Sequence, residues 1–237
     1  MANFAHKGEE KKKYVKKMFN DISKTYDLIN ILSSFGIDRY WRYKLIKSIK
    51  LNPSDHLLDV ATGTGDVAFG FLKKYNVAIT GLDIAKNMIQ ISKNKALKFS
   101  GNIEFKVGDA ENMNFENSYF DALTISFGFR NLGSYDKALS EFHRVLKNNG
   151  KLAILEFSKP TSKWFAPFFR FYFNKVVPRI GALLSRKDAY LYLPESVDYF
   201  LTRDDLCKKM NNAGFKNVIY KDYTFGIATL YIGDKVE

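Results

Sequence analysis

Leu57-Leu58-Asp59-Val60-Ala61-Thr62-Gly63-Thr64-Gly65-Asp66 is the stretch that decides the fold. The apolar run reads as a buried strand. Two glycines one residue apart break it, and Asp66-Val67-Ala68-Phe69 restarts as a helix with Asp66 in its first turn. Strand, glycine turn and helix together present backbone N–H groups to a ligand at a helix N-terminus. Gly63 and Gly65 let the chain bend where a Cβ would collide. With Ala68 they also satisfy G-x-G-x-x-G/A, so a nicotinamide enzyme stays open at this point.

The acidic residues around this loop separate the alternatives. Asp59 lies just ahead of the glycines, and its carboxylate is expected at the loop mouth, where it suits a cationic ligand and repels a pyrophosphate. Asp83 closes the next expected strand and can accept from ribose hydroxyls; Ile84 beside it joins the candidate set. Asp109, followed by Ala110, ends the third. Taken singly, each Asp is equally a turn or N-cap residue. Acids at three successive strand ends suit S-adenosylmethionine, which carries a sulfonium, an amino group, a ribose and an adenine but no phosphate.

The chain has 237 residues, 46% hydrophobic and 16% aromatic, enough for one large domain carrying a lid. Its net charge of +12 favours anionic surfaces in general, nucleic acid or acidic lipid, or is simply a solvated lysine-rich exterior. A single cysteine, Cys207, excludes an internal disulfide and fits a reducing compartment. Residues 1–17 are charged throughout, without the apolar core of a signal peptide, and no window of about 18 apolar residues exists. These features predict a cytoplasmic protein able to sit peripherally at the inner face of a membrane. No metal site is expected.

In chain order, residues 1–10 are expected to lack order. A helical pattern over 10–34 carries Tyr14, Val15, Met18, Phe19, Ile22, Tyr26, Ile29 and Leu32, and a second helix spans 37–49. Strands at 57–62, 77–82, 103–107, 120–127 and 151–157 then alternate with helices at 66–75, 85–98 and 134–147, with a polar loop after the third strand. Such alternation predicts an α/β fold with a parallel sheet, its ligands at the carboxyl ends of the strands. Residues 161–185 are dense in aromatics, including Trp164, Phe165, Phe168, Phe169 and Phe173, and Tyr190-Leu191-Tyr192-Leu193-Pro194-Glu195-Ser196 follows. A helix capped by Thr202 and two strands at 216–223 and 226–232, joined as a hairpin, finish the chain. A terminal antiparallel hairpin departs from the dinucleotide fold and matches the class I methyltransferase fold. A single domain is expected: a helical cap over 1–50, a cofactor-binding core over 51–160, a lid insertion over 161–200, and a final helix and hairpin over 201–237.

From Tyr14 to Gly233 the sequence resembles the ubiquinone/menaquinone biosynthesis C-methyltransferases. One family signature is met by Tyr26-Asp27, Asn30, Ser34 and Trp41, with Ile29, Ser33 and Asp38 standing where the family often has Met, Met or Leu, and His. A second is met by Arg144-Val145-Leu146-Lys147, Gly150, Glu156 and Ser158, with Asn148-Asn149 in place of Pro-Gly. Ser126-Phe127-Gly128-Phe129-Arg130-Asn131 and the Tyr192-to-Ser196 run also look like that family. The resemblance implies cofactor contacts at Thr64, Asp83, Asp109, Ala110 and Ser126, and methyl transfer from S-adenosylmethionine to a ring carbon of a reduced prenylated quinone. It leaves open a naphthoquinol or benzoquinol head group, the tail length and the oligomeric state, a homodimer included.

That reaction needs the phenolate of the acceptor. A free phenol ionises near pH 10, so reaching the phenolate at neutral pH asks for about 4 kcal/mol. Arg130, just past the fourth strand, is the expected fixed cation; Asn131 is expected to orient the oxygen, and water or Asp27 to take the proton. His143 is expected to be structural, and His6 and His56 to be surface or turn residues. The aromatic insertion reads as a lid over a prenyl tail, with Arg170, Lys175 and Arg179 placed for acidic headgroups, or as a helix packed on the core. A nucleic-acid methyltransferase is disfavoured because the fourth strand ends in Ser-Phe-Gly rather than an acidic or Asn-Pro-Pro-aromatic loop, so no nucleic-acid partner is expected. A non-enzymatic membrane-binding protein would leave the three acids unexplained. The alternative kept is an S-adenosylmethionine-dependent methyltransferase acting on RNA or another small molecule.

Overall fold

The computed structural model describes residues 7–179 and 187–236. Strands β1 (His56–Val60), β2 (Ala78–Asp83), β3 (Ile103–Val107), β4 (Phe120–Ser126), β5 (Leu146–Phe157), β6 (Phe215–Tyr223) and β7 (Ala228–Lys235) form one sheet in the order β3-β2-β1-β4-β5-β7-β6. The first five run parallel, and β7 is antiparallel to both β5 and β6. This is the expected parallel sheet with its closing hairpin.

Strand β1 shows why the sheet is covered on both faces. Side chains alternate along a strand. Leu58 and Val60 join Leu123, Ile125 and Phe142 in one core cluster, whereas Leu57 joins Phe71, Ile79 and Ala122 in another. Helices α3 (Ile37–Ser48), α4 (Asp66–Lys74) and α5 (Lys86–Ala96) serve the second face. Helices α6 (Tyr135–Val145) and α9 (Arg203–Asn212) serve the first. Ser134 and Thr202 cap these last two through their hydroxyls.

Helices α1 (Gly8–Ile22) and α2 (Tyr26–Ser34) form a third cluster with α8 (Lys187–Asp198), built on Val15, Met18, Ile29, Ala189 and Tyr192. The aromatic insertion is α7 (Ala166–Phe171), which runs on as a π-helical turn, Tyr172–Val176. No helix among the described residues is long and apolar enough to cross a membrane.

Three expectations need correcting. Order begins earlier than residue 11: α1 starts at Gly8, whose N–H donates to the Gly133 carbonyl at 3.0 Å, anchoring the helix start to the loop before α6. Strand β5 starts at Leu146, five residues early. Asn149, at φ 66°, absorbs a bulge where the pairing steps from Phe120↔Leu146 to Ala122↔Lys151, so Asn-Asn-Gly kinks the chain instead of separating elements. His56 opens β1 half-buried, bonded to the Thr80 hydroxyl at 2.9 Å and edge-on to Phe120, and burial lowers its pKa. His143 packs edge-on to Phe215, in keeping with a structural role. His6 lies outside the described residues, as does the 180–186 part of the aromatic insertion.

Candidate active site

The carboxyl ends of β1, β2 and β4 open onto a cleft lined by Gly63, Asp83, Ile84, Asp109, Ala110 and Ser126, with Lys12, Val15 and Phe19 of α1 and Tyr26 of α2 on its other side. The glycine loop is held by its own main chain. Gly65, at φ 91°, leaves no room for a side chain: a Cβ there would come within 2.6 Å of the Phe69 ring. Ala61 (φ 49°) and Phe127 (φ 56°) both turn left-handed directly after β1 and β4, a strained arrangement for residues with side chains.

Asp83 closes this loop. Its carboxylate accepts from the Gly63 N–H at 2.9 Å and the Ala85 N–H at 2.8 Å. Burial raises its pKa, opposed by those two donors and the Ile84 N–H. Asp109 accepts from the Glu111 N–H and from Lys12 Nζ, both at 2.9 Å. Burial works against the Lys12 charge, yet Asp109, Glu9 and Glu111 outweigh it and hold the ammonium above its ordinary range. Ser126 Oγ is buried in the same cleft and has no hydrogen-bond partner among the described residues. An orphaned hydroxyl and two carboxylates, one at the β2 end and one at the β3 end, are groups to which ribose hydroxyls and an adenine amino group can hydrogen-bond.

Three expected contacts lie elsewhere. Asp59 does not reach the loop mouth. It stands on the same strand face as Leu57, fully buried, and accepts from the hydroxyls of Thr62 and Thr124, each at 2.7 Å. Burial pushes it up to about 6 despite those bonds. It props the loop from behind. Thr64 and Gly65 are outside the cleft lining, and the Thr64 hydroxyl donates to Asp27 at 2.6 Å.

A larger and mostly apolar cavity, enclosing about 1430 Å³ with its open mouth, adjoins the cleft. Its walls come from α1 and α2 (Met18, Phe19, Ile22, Tyr26), α3 (Trp41), the insertion (Phe165, Phe168, Phe169, Tyr172, Phe173) and the strand ends (Phe127, Phe157). The insertion reaches across to α2, where the Tyr172 hydroxyl donates to the Ser33 carbonyl at 3.1 Å and its ring lies 5.7 Å from Phe35. Phe19, Tyr26 and Phe127 line both spaces.

Arg130 lines the larger cavity, and its charge is already partnered. Nη1 meets Glu156 Oε1 at 2.5 Å and the Phe127 carbonyl at 2.7 Å, while Nε donates to Ser196 at 3.2 Å. The guanidinium lies 5.2 Å from the Phe157 ring. Asn131 lines the neighbouring cleft and accepts from the Tyr192 hydroxyl at 3.2 Å. Asp27 lines neither space: one oxygen takes Thr64, the other pairs with Lys95 at 2.7 Å. The proton-accepting role expected of Asp27 therefore has no geometric support.

Sequence reading missed several residues. Glu156 is a fourth acid at a strand's carboxyl end, and counting strand-end acids beyond the third would have flagged it. Asp38 and Arg42 line the larger cavity as an ion pair at the i,i+4 spacing, which the sequence displays openly. Lys11 gave no signal; it is buried, donates to the Arg130 carbonyl at 2.6 Å, and burial lowers it to about 8.

The model of the ubiE/COQ5 methyltransferase family matches residues 7–235. A relative from Citrifermentans bemidjiense, named ubiquinone/menaquinone biosynthesis C-methyltransferase UbiE, is 47% identical over 230 residues, 95% of this chain and 98% of its own. A Deinococcus radiodurans relative named demethylmenaquinone methyltransferase is 41% identical over 229 residues, 96% of this chain and 95% of its own. Among solved structures, the cyclase SpnF superposes with a TM-score of 0.72 at 15% identity, over 100% of this chain and 99% of its own. A methyltransferase from Aquifex aeolicus gives 0.61 at 19% identity, over 82% of this chain and 89% of its own. At such identities the structural likeness speaks for the fold.

Proposed function

Because the chain belongs to the ubiE/COQ5 methyltransferase family, we propose that it moves a methyl group from S-adenosylmethionine to a ring carbon of a reduced prenylated quinone. The observation that carries this reading is the pair of adjoining spaces. A cleft at the strand ends that carries Asp83, Asp109 and Ser126 meets a more apolar cavity, and Phe19, Tyr26 and Phe127 form the boundary. Two substrates of opposite polarity can then meet across one wall, which gives the proximity a bimolecular transfer needs.

In the cleft, Asp83 and Asp109 would hold the ribose and adenine side of the donor, and Ser126 and the Gly63 loop would flank it. When bound, the donor supplies an electrophilic methyl on a sulfonium. In the cavity, Arg130 is the fixed cation for one ring oxygen, held in place by Glu156, Phe127 and Ser196. The Glu156 carboxylate offsets much of that positive charge, so Arg130 positions the oxygen more than it acidifies it. Asn131, tied to Tyr192, sits on the donor side of the same wall. Aromatic walls exclude water and strengthen these polar contacts.

The mouth of the cavity suits a membrane-borne tail. Phe35, Trp164, Phe168 and Phe171 are 64–78% exposed, and Arg170, Lys175 and Arg179 are exposed on the same insertion. Each CH₂ of a tail that leaves water contributes about 0.8 kcal/mol. We read the insertion as the element that meets acidic headgroups while the head group enters beneath it.

The test is a transfer assay with labelled methyl donor and reduced, demethylated naphthoquinol and benzoquinol supplied separately, with RNA in parallel and mass spectrometry of the product. Label on a ring carbon of either head group is expected. Label on neither, or on RNA alone, would overturn the reading.

A further inference from the structure

Methyl transfer to a ring carbon needs a group that takes the proton of the neighbouring hydroxyl, and Asp27 is out of reach. Among the described residues that line the larger cavity, Asp38 is the one carboxylate, and no histidine is present. Arg42 and Arg130 are donors only. Burial pushes the Tyr26 and Tyr192 hydroxyls above their ordinary range, which makes them poor acceptors at neutral pH.

Asp38 is 5% exposed, in the first turn of α3. Its Oδ1 accepts from the Ser34 hydroxyl at 2.6 Å and its Oδ2 pairs with Arg42 Nη1. Each oxygen keeps a further lone pair after those contacts. The Arg42 guanidinium lies 5.6 Å from the ring of Phe127, which belongs to the wall between the two spaces. The pair is therefore near the boundary the methyl group must cross. Arg42 also stands 3.8 Å from Asp66, so its charge keeps a partner when Asp38 is neutralised.

We infer that Asp38 is the proton acceptor for the ring hydroxyl of the quinol, an inference that rests on the methyl-transfer reading above. The hydroxyl O–H bond breaks and its proton goes to Asp38. The electron pair of the oxygen, delocalised into the ring, forms the carbon–carbon bond to the methyl group as the methyl–sulfur bond breaks to leave a neutral thioether. The alkylated carbon sheds its hydrogen as a proton to solvent, and Asp38 returns its own proton to the oxygen as the ring regains aromaticity.

The decisive variant is Asp38→Asn, which keeps the size and removes the acceptor. Turnover is expected to fall about 100-fold, within the range for loss of a positioned base. Affinities for a naphthol without donor, and for the donor without naphthol, should each stay within about 3-fold on the scale of a lost single contact. A hydroquinone made more acidic by an electron-withdrawing group on its other ring should recover most of the loss, because its hydroxyl ionises unaided. Asp38→Glu keeps a carboxylate at the same position and should recover at least about 10-fold of the turnover that Asp38→Asn loses. Unchanged turnover in Asp38→Asn, an equal deficit with both hydroquinones, or an Asp38→Glu variant no faster than Asp38→Asn would each overturn the assignment. Failure of the unaltered enzyme to methylate any quinol would instead remove the function reading beneath it.

Discussion

The two spaces at the strand ends are built by opposite means. The acid-bearing side of the cleft comes from consecutive segments, each a strand end and its following turn, and backbone N–H groups do much of the holding: Gly63 and Ala85 on Asp83, Glu111 on Asp109. The larger cavity comes from α1, α2, α3, the insertion, α8 and two strand ends, and side chains do the holding: Glu156 on Arg130, Ser34 and Arg42 on Asp38. A site made from main chain changes little with single side chains. A site made from distant side chains depends on each of them.

Breaking the buried pair at the cavity wall should give the largest effect. Glu156 is fully buried and Arg130 nearly so. Glu156→Gln leaves an uncompensated buried guanidinium, and chemical denaturation should show a loss of about 3–5 kcal/mol. A loss under about 1 kcal/mol would mean that Arg130 finds water or another partner, in the range of an exposed pair.

Next comes the prop behind the loop. Asp59 is raised from 3.8 to about 6 in the folded state. A carboxyl raised on folding favours the folded chain least once it must ionise. Below about pH 4 both states are protonated, and as pH rises through 6 the folded state bears the cost of the buried charge. Asp59→Asn should therefore raise stability by about 3 kcal/mol at pH 8, from roughly two pKa units, with the gain gone at pH 4. Thermal melts at the two pH values check this, and donor affinity should hold because Asp59 lies outside the cleft. A gain independent of pH would contradict the assigned cause.

Asp83→Asn tests the cleft itself. Neutralising the acceptor proposed to face the donor should weaken donor binding about 10-fold, near 1.5 kcal/mol, while naphthol affinity is retained. Calorimetry reads both. Equal weakening of both ligands would merge what the structure separates. The smallest effect is expected at Phe171, 64% exposed and outside the cavity lining. Phe171→Ser should lower partition onto anionic vesicles about 3-fold, a loss of apolar area below 1 kcal/mol, with turnover on a short-tailed soluble quinol intact.

This contrast also explains what could be read from residues alone. Asp83 ends β2 and Asp109 comes just after β3, so once the strands were placed both acids fell at one cleft, whereas Ala110 and Ser126 were visible only through the resemblance. Asp59 misled because its position in sequence looks terminal, whereas the two-residue alternation of a strand turns it sideways onto the α4 face. The cavity was legible only in composition, as a dense run of rings at 164–173. Arg130 was visible, but its partner Glu156 is 26 residues away in the chain. Asp27 and Asp38 are both acids near the ends of short helices, and no periodicity says that one turns to Lys95 and the other into the cavity. The bulge at Asn149 was hidden because Asn-Asn-Gly reads as a stop, and only pairing with β4 shows the strand running through it.

Donor and acceptor are proposed to occupy separate spaces that meet at Phe19, Tyr26 and Phe127. A crystal structure with S-adenosylhomocysteine and a non-reactive naphthoquinol analogue tests it most directly. The nucleoside is expected against Asp83 and Asp109, the bicyclic ring between Arg130 and Asp38, and the sulfur facing the ring across that wall. Both molecules in one space, or the nucleoside bound away from Asp83, would contradict it.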